Sequence, residues 1–371
     1  MATALVTLDT MNWINTVDFD VPRILGALLK DVPPLLAQLA TPSGWLRAKN
    51  RIETLTPDPD GPGMRCNFKW SSALHVAHVF PPTGSWIMRR AFAQWPVRFA
   101  PHDAAQHVRR PDLSFIIPFR GTERLPQLQA TVRSILAQED AEVECIVIEQ
   151  SNTVQARAAL PPGVRHIHLP HPLGDPGWRK CWAYNEAARQ ARAPVLVCHD
   201  GDIVVPAAYG RALMNTLDRG FDSVHIQRFL FYLGEADSQR VIDSGSFAGC
   251  VPEDVRHNWV GGTLAIRKDA YFAIGGFDER FVNWGGEDNE FFDRCQVLRQ
   301  CRHGFVPFVH LWHPPQANKS GPGREAAVAM MNERLAIPQA RRIEELRRAL
   351  TAYGRIRVLA AGTVACHTPP A

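Results

Sequence analysis

The sequence predicts an α/β protein built on a wound, mixed sheet, and three observations predict it. Leu113 to Pro118 is an apolar run broken only by Ser114, with polar residues on either side, the pattern of a strand buried on both faces. Leu125 to Gln138 follows with helical spacing through Leu128, Val132, Ile135 and Leu136. Further strand-like runs, Val143 to Ile148, Val164 to Leu169 and Val195 to Cys198, then alternate with a helical stretch over Trp182 to Arg192. In a sheet wound this way, ligands gather at the C-terminal ends of the strands.

The rest of the chain frames that unit. At 371 residues, with 46% hydrophobic and 21% charged residues, it can bury a large core and is not a disordered chain. The net charge of +4 is too small and too dispersed for a nucleic-acid binder. Three units are expected: a mostly helical N-terminal extension over 1–110, a catalytic domain over 111–320 and a basic helical tail over 321–371. In the extension, Ile24 to Leu39 predicts helical turns broken at Pro33-Pro34, and Arg51 to Gly63 predicts turns. A helical stretch ending in Trp86, Phe92 and Trp95 follows Asn67-Phe68-Lys69-Trp70. His75 and His78 lie among apolar neighbours and predict packing, not ligation.

Eight cysteines without a CxxC pair, several inside strand-like runs, predict buried thiols in a reducing compartment and no disulfide framework. Met1 to Asp20 lacks the basic and apolar regions of a signal peptide, and no apolar run is long enough to span a membrane. A cytoplasmic protein is expected.

Chemistry is predicted at three places. The strand Val195 to Cys198 runs directly into His199-Asp200-Gly201-Asp202. Two carboxylates at such a strand end project into the crevice, where a hard divalent cation is a natural partner. Trp284-Gly285-Gly286-Glu287-Asp288 places acids at a helix start behind two glycines that let backbone approach a ligand. Trp284 beside them is a platform for a sugar ring. His310 and His313, at the end of the apolar stretch from Phe305, complete a mixed carboxylate and imidazole set suited to Mn2+.

Together these pieces resemble a known family. Phe115-Ile116-Ile117-Pro118-Phe119-Arg120, Ile148-Glu149-Gln150-Ser151-Asn152 and Asp200-Gly201-Asp202 resemble the nucleotide-sugar half of a GT-A glycosyltransferase of the family 2 type. The stretch from Gly261-Gly262 through Gly275-Gly276-Phe277 to Trp284-Gly285-Gly286-Glu287-Asp288 is similar to the C-terminal galactosyltransferase segment of β-1,4-galactosyltransferases and bacterial chondroitin-type polymerases. The resemblance spans about residues 112 to 320. It divides the catalytic domain into a nucleotide-binding half, 111–205, and an acceptor half, 206–320. Two positions depart from it: His310 stands where the galactosyltransferases often have Met, and Asn289-Glu290 where animal enzymes have further aspartates.

The resemblance implies an inverting, Mn2+- or Mg2+-dependent enzyme that moves a hexose or N-acetylhexosamine from a UDP-sugar to a saccharide or glycolipid hydroxyl. Asp202 would be the principal metal ligand, joined by His313 and His310, and Asp200 would touch the ribose, or the metal through water. Asp288 would be the general base and Glu287 an acceptor contact. Pro118, Phe119, Arg120 and Glu149, with Arg124 near them, would form the uracil and ribose pocket. Arg179 and Lys180 would meet the diphosphate, and Gly262 and Trp284 the donor sugar. A catalytically inactive carbohydrate-binding protein of the same fold, or a sugar nucleotidyltransferase, is the alternative. The apolar stretch Val21 to Leu46 and the arginines from Arg341 to Arg357 suggest weak, salt-sensitive contact with an anionic inner membrane face.

Overall fold

The computed structural model describes residues 21–67, 71–105, 108–171, 177–315 and 322–350. The readings of Met1 to Asp20, of Phe68 to Trp70 and of the tail beyond residue 350, Arg357 included, lie outside them. Fourteen strands make three sheets among the described residues. A small hairpin joins β1 (Leu55–Pro57) to β2 (Met64–Cys66), with β1 in the stretch where the sequence predicted turns.

The main sheet has seven strands in the order β13-β9-β12-β7-β4-β5-β6. They are β4 (Leu113–Phe119), β5 (Val143–Gln150), β6 (Arg165–Leu169), β7 (Val195–His199), β9 (Ser223–Val224), β12 (Thr263–Arg267) and β13 (Gln300–Cys301). Strands β6, β5, β4 and β7 are parallel, whereas β12 runs antiparallel to β7. The chain leaves β4 toward β5 on one side and returns as β7 on the other. The crevice between the carboxyl ends of β4 and β7 is therefore the switch point at which wound sheets bind ligands. Every residue of β4, β5 and β7 is buried, which accounts for their mostly apolar sequences. Helix Leu125–Leu136 covers one face through Leu128, Val132 and Ile135. Helix Lys180–Gln190 packs on the other through Cys181, Ala183, Ala187 and Ala188, whose small side chains let it sit close to β4 and β5.

The second sheet has the order β3-β11-β10-β14-β8. Its strands are β3 (Ser72–Ala73), β8 (Ile203–Val204), β10 (Gln227–Leu233), β11 (Pro252–His257) and β14 (Val306–His310). The sequence reading named only the Phe305 to Val309 stretch here. Strands β3 and β8 are only two residues long and β11 mixes charged and apolar residues, whereas β10, apolar from Phe229 to Leu233, was overlooked.

The N-terminal residues do not stand apart as an appendage. Strand β3 pairs with β11, and helix Pro82–Gln94 packs on β11 and β14. Trp45, fully buried, packs its ring 6.2 Å from Phe229 and donates Nε1–H to Gln94 Oε1 at 2.7 Å. Ile87, Met88 and Trp45 belong to one core with Phe229, Phe231 and Phe308. Burying a side chain of this size contributes about 1.5–3 kcal/mol, so the extension is part of the fold.

The tail is also docked. Helix Pro322–Ala336 and a second helical stretch, 339–350, lie against helix Glu287–Cys295. Arg342, one of the arginines read as suggesting membrane contact, is 2% exposed and ion-paired with Glu290 and Asp293. None of the seven cysteines among the described residues is in a disulfide, and no helix among those residues is long and apolar enough to cross a membrane.

Candidate active site

The turn after β7 is pinned from both sheets. Asp200 N donates to Gly262 O at 2.9 Å, and Leu311 N donates to Asp202 O at 2.8 Å. Gly201 lies so close to β4 that a Cβ there would stand 3.3 Å from Ile117 and 3.4 Å from Leu128. With the backbone fixed this way, the two carboxylates point to different neighbours.

Asp202 faces the end of β14. Its Oδ2 lies 3.1 Å from His313 Nε2 and its Oδ1 3.8 Å from His310 Nε2. The three ligand atoms lie within 4.8 Å of one another. His310 is stacked on Tyr232 with ring centres 4.4 Å apart, which fixes its plane. His313 Nδ1 is 2.8 Å from Pro314 O and 3.0 Å from Arg124 Nη2; where it accepts from Arg124, which can only donate, Nε2 carries the proton and donates to Asp202. Two imidazole nitrogens and a carboxylate oxygen gathered this closely are a donor set that fits a divalent metal once Nε2 gives up that proton. Burial favours the neutral Asp202, but His310, His313 and Arg124 outweigh it and hold the carboxyl well below the usual range. Arg124 completes the group, with Nη1 at 3.5 Å from Asp202 and Nη2 at 3.0 Å from His313 Nδ1.

Asp200 turns the other way, into a second cluster. Lys180 Nζ lies 3.0 Å from Asp200, 3.4 Å from Glu287 and 3.5 Å from Asp288. The two acids open helix Glu287–Cys295 behind Gly285 (φ 119°) and Gly286 (φ 86°), backbone angles that favour glycine. A Cβ on Gly286 would also stand 2.8 Å from Met331 of the tail. Gly285 N donates to Glu287 Oε2 at 3.0 Å and orients that side chain. Burial pushes the Asp288 carboxyl up to about 7; Lys180 pulls it down, and Glu287 and Asp200 push it up. Burial works against the Lys180 ammonium, but Asp200, Asp288 and Glu287 hold it charged well beyond its ordinary range.

This arrangement bears on two expectations. Lys180 is held by three carboxylates, with which the diphosphate contact expected of it would compete. Glu149 is 1% exposed, and its carboxylate accepts from Ser151 Oγ, Gln155 N and Ala156 N and contacts His166 Nε2 at 2.7 Å. These partners overcome its burial and keep it ionised. Glu149 thus fastens the loop after β5, and its oxygens do not face an open pocket.

The other expected positions divide by exposure. Pro118 and Phe119 are buried at the end of β4, and Arg120 beyond them is exposed. Arg179 is tied by its backbone, N to Gln150 Oε1 at 2.8 Å. Gly262 (φ 88°) approaches Ile203, where a Cβ would stand 2.6 Å from Cδ1. Trp284 is half-buried, not an exposed platform. Two residues were missed. Tyr184 OH lies 3.5 Å from Asp200. A Cβ on Gly261 would meet Asp288 Oδ2 at 2.7 Å and Trp259 Nε1 at 3.1 Å, so Trp259 borders the same space as the acid. The adjacent Gly261-Gly262 was the available signal for Trp259.

A wound sheet with a polar cleft at this switch point is the framework of a GT-A glycosyltransferase, and the chain is a glycosyltransferase. Residues 114–278 match the model of glycosyl transferase family 2. Residues 252–308 match a second model, described as the N-terminal domain of galactosyltransferase. Among solved structures, the mannosyltransferase PcManGT from Pyrobaculum calidifontis, in complex with GDP-Man and Mn2+, is similar at 17% identity with a TM-score of 0.38. The match covers 76% of this chain and 87% of that one. No curated protein matches in sequence.

Proposed function

We propose that the protein is an inverting, metal-dependent glycosyltransferase that moves a hexose or N-acetylhexosamine from a UDP-sugar to a saccharide or glycolipid hydroxyl, in the synthesis of surface polysaccharide or glycoconjugate. The observation that carries this reading is the pairing of Asp288 with the Asp202 group across one turn of chain. A carboxylate that titrates near neutrality stands beside a donor set fit for a divalent cation.

An acceptor hydroxyl needs a base near the operating pH, and Asp288 would take its proton. Glu287, oriented by Gly285 N, would hold a neighbouring hydroxyl. Lys180 would keep Asp200, Glu287 and Asp288 together without open repulsion. Attack from the face opposite the leaving diphosphate inverts the anomeric carbon. Asp202, His310 and His313 would hold Mn2+ or Mg2+. When bound, such an ion supplies Lewis-acid counter-charge to the diphosphate. Pro118, Phe119 and Arg120 would border the nucleotide, with Gly262 and Trp284 near the sugar. A cytoplasmic enzyme with weak contact at an anionic membrane face fits this reading only through exposed arginines such as Arg341 and Arg348, because Arg342 is buried.

The test is UDP release across a panel of UDP-sugars with Mn2+, Mg2+ and excess chelator. Release from one donor that stops in chelator and returns on adding metal is the expected result. Unchanged release in chelator would refute the metal role, and no release from any UDP-sugar would refute the donor class.

A further inference from the structure

Strands β10 and β14 each bury every residue but one, and the exceptions are Tyr232 and His310, both half-buried. The two are register partners in adjacent parallel strands, so their side chains leave the same face of the sheet. On the other side of β14, His310 pairs with Ile203, which follows Asp202. The strand order β10-β14-β8 therefore sets Tyr232, His310 and the turn that carries Asp202 side by side.

The two histidines of the candidate metal set are held in different ways. His313 is oriented through its ring edge, with Nδ1 close to Pro314 O and Arg124. His310 is oriented through its ring face, which stacks on Tyr232 with the planes 25° apart. In a stack the ring nitrogens lie in the imidazole plane, and Nε2 stands 3.8 Å from Asp202 Oδ1. Turning the ring about its Cβ–Cγ bond would swing Nε2 off Asp202 and break the stack. A ligated imidazole gives electron density to its cation, and the negative face of a phenol suits such an electron-poor ring. The stack thus favours both the orientation and the state that ligation requires.

Tyr232 is itself braced. The Arg256 guanidinium carbon, on β11, lies 4.7 Å from the centre of the Tyr232 ring and 5.5 Å from that of Trp259. Asp254, the register partner of Tyr232 on β11, holds Arg256 through Nε at 2.6 Å. Because β10 runs between β11 and β14, the phenol is held between a guanidinium and an imidazole.

We propose that Tyr232 is a positioning residue for the divalent cation: its ring holds His310 in the ligating pose, and Arg256 steadies that ring. This rests on the reading that Asp202, His310 and His313 bind such an ion, and it adds a residue that acts through His310.

Titration of the full chain with Mn2+ alone, followed by electron paramagnetic resonance, tests it without reference to turnover. Tyr232→Leu should weaken Mn2+ binding about 10–100-fold, the usual cost of losing a group that orients a metal ligand. Tyr232→Phe keeps the aromatic face and should stay within roughly twofold of the unaltered protein. His310→Ala should also weaken binding, and adding Tyr232→Leu to it should cost nothing further, because residues that act through one contact are not additive. Circular dichroism reports whether each variant is folded, and Tyr232→Met, similar in length without the ring, replaces Tyr232→Leu if that variant does not fold. Undiminished affinity in folded Tyr232→Leu, an equal loss in Tyr232→Phe, or the same loss with and without His310 would each overturn the proposal and leave the metal reading standing. Absence of Mn2+ binding by the unaltered protein would instead remove the metal reading, and the proposal with it.

Discussion

Asp200 and Asp202 are two residues apart on one turn, yet they belong to opposite electrostatic environments. Asp202 stands among two imidazoles and a guanidinium, which keep it ionised despite its burial. Asp200 shares one ammonium with Glu287 and Asp288, and in that cluster carboxylates outnumber cations. Asp288, in that cluster, is pushed up to about 7 chiefly by burial, with Glu287 and Asp200 adding to the rise and Lys180 opposing it. Neighbours, not residue type, decide which carboxylate suits a cation and which can accept a proton.

The comparison is tested hardest at Asp202. If its role is to hold a cation, Asp202→Ala should lower metal-dependent turnover by about 10³-fold, equivalent to ~4 kcal/mol of barrier. Tight Mn2+ binding, followed by electron paramagnetic resonance, should disappear with it. A variant that turns over normally would place the metal elsewhere.

The other half of the cleft should respond through pH. Asp288→Asn should retain UDP-sugar affinity by calorimetry and lose transfer by about 10²–10⁴-fold, the usual contribution of a positioned base. The base form of Asp288 exists only above its pKa, so kcat/KM should climb with pH and level off above about 7. Lys180 pulls that value down, so Lys180→Met should move the rising limb to higher pH. A limb that stays in place would mean that the titrating group is not Asp288.

How much of this was legible depended on burial. Strands β4, β5 and β7 could be read because both faces are covered and apolar residues dominate them, with only Ser114, Glu144 and the strand-end residues Glu149, Gln150 and His199 departing. Strand β11 could not, since its residues Glu253, Asp254 and Arg256 are partly exposed and obscure the apolar Val255. At the site, the acids and histidines were visible as motifs, but their partition was not. Lys180 precedes the DxD turn by twenty residues and the Glu287-Asp288 pair by more than a hundred, and nothing local announces that it sits between them. Glu149 misled for the opposite reason: its strand-end position suggests a ligand contact, whereas neighbouring backbone amides already occupy its oxygens.

The smallest effect on chemistry is expected from the third acidic group, on the same helix as Asp288. Glu290 and Asp293 point away from the cleft toward the tail, where Arg342 binds both and Arg294 adds three contacts of 2.7–3.0 Å to Glu290. Cations here match the carboxylates, so the group has no surplus charge to lend to catalysis. Arg342→Met leaves Glu290 with Arg294 alone and lets Asp293, already one-third exposed, hydrate. Losing one partner of a buried ion pair costs about 3–5 kcal/mol when the remaining charge is stranded. Because Arg294 remains, we expect about 2 kcal/mol, seen as a Tm lower by roughly 2–3 °C for a chain of this size. At a temperature well below unfolding, kcat/KM should change by less than about twofold, since an ion-pair change without contact to the reacting atoms leaves the barrier near its original height. A large fall in kcat with an unchanged Tm would reverse the assignment and make the tail part of the catalytic apparatus.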